Sequence, residues 1–73
     1  MVNNATMTEI TAEERKFLAE MIEHHKMALV MSKKVLLSTE HSDIMSLAFS
    51  IILNQTNEIA LMAEMLKSKK SRI

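Results

Sequence analysis

The sequence predicts an all-α fold, a long antiparallel two-helix hairpin that dimerises into a four-helix bundle. Three observations carry that prediction. Gly and Pro are both absent from the 73 residues, so tight turns needing positive φ are disfavoured and long helices run unbroken. Apolar side chains recur at helical spacing through two stretches of about 25 residues, divided by one polar stretch, "STEHSD" at 38–43. The apolar sector of the first helix also covers roughly half of its circumference, more than one neighbouring helix would cover.

Residues 1–11 are polar and mixed and read as a flexible N-terminus. "TAEE" at 11–14 is a capping box, in which Thr11 accepts from the backbone near Glu14 while Glu14 reaches back to the Thr11 amide. It predicts a first helix over about 12–37. Phe17, Met21, His24, Ala28, Met31 and Val35 follow spacings of 4, 3, 4, 3, 4. Leu18, Ile22, His25, Leu29 and Leu36 form a second stripe beside them, and Glu23, Lys26, Lys33 and Lys34 lie opposite.

"STEHSD" is the connection, with Ser42 or His41 as N-cap and Asp43 suited to the positive end of a helix. A second helix is expected over about 43–67. Its inward stripe runs through Ile44, Leu47, Ala48, Ile51, Ile52, Gln55, Glu58, Ile59, Met62 and Leu66. The basic tail at 68–73 complements the negative helix end. The domain is therefore the hairpin over 12–67. A short connection makes the helices antiparallel, and pairing two hairpins buries the wide apolar sector.

Composition narrows the function. A chain of this length has a marginal core, and with no Cys it has no disulfide to support it, which leaves oligomerisation and metal binding. Nine acidic and nine basic residues cancel, which argues against a general nucleic-acid binder. No apolar run is long enough for a membrane span. "MVNNATMTEI" does not read as a secretory signal, so a cytoplasmic location is expected. Met is abundant at eight copies; it is both a flexible core filler and a soft thioether ligand.

The polar residues inside the stripes are the candidate site. With the loop centred near residue 40, antiparallel pairing sets His24 and His25 opposite Gln55 and its neighbours, and Met21 opposite Glu58 and Ile59. One reading is structural: a buried histidine hydrogen-bonded to Gln55 or Glu58 that fixes helix register. The other is a soft-metal site in which imidazole and thioether donors bind an ion such as Cu(I). Met21, His24, Met27 and Met31 can share one side of the helix. Adjacent residues diverge by about 100°, so His24 and His25 point different ways. Catalytic residues are not expected and the chain is not read as an enzyme. Glu20 and Glu23 lack a His three residues on, so no di-iron Glu-x-x-His motif forms. Neither a His-Glu-x-x-His motif nor a Gly-rich phosphate loop is present.

"FLAEMIEHHKMALVM" at 17–31 and "LAFSIILNQTNEIALMAEML" at 47–66 together resemble the domain-of-unknown-function 305 family. The resemblance covers about 15–67 and rests on Met21-Ile22, His24-His25 and Met27-Ala28, followed by Gln55, Glu58-Ile59 and Met62. It implies a ferritin-like helical bundle, and some members are periplasmic copper-binding proteins that use His and Met. It therefore implies Met21, His24, His25, Met27 and Met62 as metal ligands, with Gln55 and Glu58 as supporting polar positions. Glu23 stands where the family often has Pro, so the first helix should be less kinked. A single copy of the motif favours a homodimer. The expectation is a non-catalytic copper-binding protein. The alternatives are an interaction module with a ligand-free His/Gln/Glu layer, and zinc or iron binding across the dimer.

Overall fold

The computed structural model describes residues 9–67. The parts of the expected N-terminus and basic tail at 1–8 and 68–73 lie outside the described residues. Two helices make up the fold, α1 over Ala12–Ser38 and α2 over Ser42–Lys67. They pack against one another as an antiparallel hairpin.

Both ends of α1 are closed by local chemistry. The Thr11 hydroxyl accepts from the Glu14 amide at 3.0 Å, and Glu14 Oε1 accepts from the Thr11 amide at 2.9 Å. Two of the N–H groups that a helix start leaves without intrahelical partners are thereby satisfied. At the other end Thr39 leaves the helix with ψ 145°, while its amide still donates to the Val35 carbonyl at 2.8 Å. The connection Thr39–His41 turns without any residue at positive φ. The Thr39 hydroxyl accepts from the His41 amide at 3.1 Å, and the His41 carbonyl accepts from the Met45 amide at 3.0 Å to open α2. These bonds do the work that Gly or Pro does in other turns.

The core is thin. Among the described residues only Leu18, Ala48 and Met62 are buried hydrophobics, with Ser32 the one buried polar residue. Leu18 and Met62 stand near the open end of the hairpin, and Ser32 and Ala48 near the loop. Two small side chains at the loop end let the helices approach closely. The stripe of α1 that faces α2 is the one containing Leu18, Ile22, His25 and Leu29.

The other α1 stripe remains open. Phe17 and Met31 are exposed at 58% and 64%, His24 is exposed, and Met21, Ala28 and Val35 are half-buried. A matching stripe on α2 runs through Ile44, Leu47, Ile51, Asn54, Glu58 and Leu61, with Leu47 and Leu61 exposed at 59% and 57%. The two stripes share one face. Near the loop, Met31 and Val35 line a shallow apolar groove with Ile44, Leu47 and Ile51, floored by Ser32 and Ala48. At the open end Phe17 and Met65 line a second hollow on the same side. No helix among the described residues is long and apolar enough to cross a membrane.

Candidate functional site

The two adjacent histidines take different places. His25 sits in the seam between the helices, and its side chain is only 12% exposed. Its Nε2–H donates to Glu58 Oε1 across the hairpin at 2.5 Å. A carboxylate only accepts, so in the neutral imidazole Nε2 carries the proton and Nδ1 keeps the lone pair. His24, about 100° further around α1, is exposed on the open face.

The partner of His25 is Glu58, one helical turn beyond the Gln55 that a loop centred near residue 40 places opposite it. Glu58 does not point into the seam: its side chain is 57% exposed and lies on the open flank of α2. Its length lets the carboxylate reach diagonally over the seam to His25. Gln55 itself is half-buried in the seam.

The methionines divide in the same way. Met21 lies one turn before His25, and Met62 one turn after Glu58. Because the helices are antiparallel, both thioethers stand at one level, next to the His25–Glu58 pair. Met21 is half-buried and Met62 is buried. Met27 is exposed at 64%. It shares a small hollow on the outer flank of α1 with His24 and Glu23. Glu23 also meets Lys26 at 3.5 Å, an exposed pair of the kind that contributes little stability.

The structure thus joins His25 to Glu58 across the two helices, with Met21 and Met62 one turn away along the chain, and sets His24 beside Met27. Among the described residues no group of three or more His, Asp or Glu side chains is arranged to hold a metal ion. Asn54, exposed, lies in the open α2 stripe between Ile51 and Glu58.

The chain is 38% identical over 66 residues to an uncharacterized protein, L153, of Acanthamoeba polyphaga mimivirus. That match covers 90% of this chain and 43% of the viral protein, so the chain spans less than half the length of this relative. No solved structure matches the chain. The family model described as a domain of unknown function, DUF305, matches residues 1–66, a span that takes in α1 and all of α2 but its last residue, and the chain belongs to the DUF305 family.

Proposed function

We propose that the protein is a non-catalytic soft-metal-binding protein whose best-matched ion is Cu(I). The observation that carries this reading is the His25–Glu58 hydrogen bond with Met21 and Met62 one turn away. A carboxylate that holds one ring nitrogen of a histidine fixes its tautomer and raises the basicity of the other, an arrangement that supports metal-bound histidines from outside the coordination shell. In this chain Glu58 takes that part and His25 Nδ1 is the donor. Thioether and imidazole are the donors that Cu(I) favours. His24, on the open face, and Met27, beside it, extend the donor set. Gln55 is half-buried in the seam, one turn before Glu58.

A second reading has its own support. The His25–Glu58 pair is already satisfied without a ligand, so it can serve to lock the two helices in register. Zinc or iron is less well matched within one hairpin, because these ions are served by nitrogen and oxygen donors that do not cluster there.

The test is an anaerobic competition titration of untagged, metal-free protein against a Cu(I) chelator. Wild type should compete for the ion, and a His24→Ala/His25→Ala double variant should not. Equal behaviour of the two proteins would favour the structural lock.

A further inference from the structure

Each helix of the hairpin buries one stripe against its neighbour and leaves a second stripe open on a common face. Both open stripes keep the alternating three- and four-residue spacing, 4, 3, 4, 3, 4 on α1 and 3, 4, 3, 4, 3 on α2. That spacing is the pattern of a helix-packing seam, in which each side chain enters a hole on a nearly parallel or antiparallel partner helix. A random scatter of exposed apolar residues does not keep it over six positions on two helices.

The distribution of polarity along this face indicates the occupant. The two stripes carry one carboxylate, Glu58, and no Lys or Arg. Their polar members lie at mid-length: His24 is near the middle of α1 (Ala12–Ser38), and Asn54 and Glu58 are near the middle of α2 (Ser42–Lys67). The ends are apolar, with Phe17 at the open end and Met31, Ile44 and Leu47 toward the loop. A face with a polar middle and apolar ends is complementary to itself. A two-fold axis in the contact plane, level with the polar layer, sets polar on polar and apolar on apolar. The size also fits: two such helices side by side present about 40 Å by 20 Å, roughly the 800 Å² per partner of a standard stable interface.

We infer that this face binds a second copy of the chain, and that the resulting four-helix bundle carries a mid-level layer to which His24, Asn54 and Glu58 of both copies contribute. The assembly buries what the thin core of one hairpin cannot. It does not depend on a metal ion, and the polar layer is complete only when both copies are present.

The experiment is sedimentation equilibrium of the full, metal-free chain in the presence of a chelator, together with thermal melts over an about 100-fold range of protein concentration. The expected result is a two-chain mass and a Tm that rises with concentration. Leu47→Lys and Met31→Lys should weaken association at least about 10-fold, or unfold the chain where wild type is folded, since each sets a charge in the contact plane. Leu53→Lys is the control. Leu53 is as exposed as Leu47, at 62%, but lies two residues past Ile51, about 200° around α2 and off the face. It should keep the two-chain mass. A folded single-chain species with a concentration-independent Tm would overturn the inference. So would a dimer that forms only after Cu(I) or Zn(II) is added, or Leu53→Lys disrupting assembly as much as Leu47→Lys. Because the measurement is made without metal, loss of copper binding leaves its outcome unchanged.

Discussion

His25 and Glu58, separated by 33 positions in the sequence, are joined by one hydrogen bond across the hairpin, from the imidazole Nε2–H to the carboxylate Oε1. Among the described residues it is the only hydrogen bond or ion pair found between side chains of the two helices, apart from the contacts of Glu9 and Met65. All other cohesion between the helices in this region comes from apolar packing and from the short connection. A double-mutant cycle with His25→Ala and Glu58→Ala, measured by urea unfolding, should give a coupling of about 0.5–1 kcal/mol. That is the range for a hydrogen bond with one partner largely in water. Additive losses in the two single variants would show that the bond does not contribute.

The N-terminal cap offers a second test. Thr11→Ala removes the acceptor for the Glu14 amide and should cost about 1 kcal/mol, whereas Thr11→Ser keeps the hydroxyl and should cost a few tenths at most. Far-ultraviolet circular dichroism during urea unfolding reads both. If Ala and Ser behave alike, the box is not a stabilising feature of α1.

Close approach near the loop makes a third. Ala48 is 2% exposed and Ser32 6% exposed, so both small side chains lie buried where the helices meet near the loop. Ala48→Leu should destabilise the hairpin by about 1–3 kcal/mol through overpacking, although it adds apolar surface. A stabilised Ala48→Leu variant would mean that the helices can separate there at little cost.

These sites show which parts of the molecule were legible in the sequence. The cap at Thr11, the absence of Gly and Pro, and the polar break at 38–43 each act locally, so residue identity alone implies the hairpin. Which α1 stripe faces α2 is a tertiary choice between two apolar surfaces, and hydropathy ranks them nearly equally. Ser32, a small polar residue between Leu29 and Leu36, weakens the apolar pattern of the stripe that faces α2, yet it is buried there, as Ala48 is on α2. Glu58 was legible as a polar position facing α1, but not as an exposed one. The diagonal reach of a long side chain depends on where the two helices sit laterally, and a count from the loop does not contain that information.

Asn54 tests the polar layer of the open face. A polar residue within a helix-packing seam lowers stability but restricts register and oligomer state. Asn54→Leu should therefore raise Tm while broadening the mass distribution beyond two chains, as read by sedimentation velocity. If Asn54→Leu keeps a single two-chain species, Asn54 does not select the assembly.

The final prediction separates the supporting role of Glu58 from that of a ligand. If Glu58 fixes the His25 tautomer from outside the coordination shell, Glu58→Gln should retain binding of Cu(I) but weaken it by about 10- to 100-fold, the usual cost of losing such a partner. Met21→Leu and Met62→Leu remove thioether donors of nearly the same volume, so they should weaken binding without unfolding the hairpin. Met45→Leu, near the loop and far from His25, should leave binding as it is. Protons compete with the ion for the imidazole, so wild-type affinity should fall in acid. Ag(I), a soft ion without redox chemistry in water, should follow the same order of variants, while Mg(II) and Ca(II), which favour oxygen ligands, should bind none of them tightly. Isothermal titration with Ag(I) reads the whole series. Unchanged affinity in both methionine variants would remove the thioethers from the site, and with them the case for a soft ion. An unchanged Glu58→Gln variant would leave the His25–Glu58 bond as a lock between helices and nothing more.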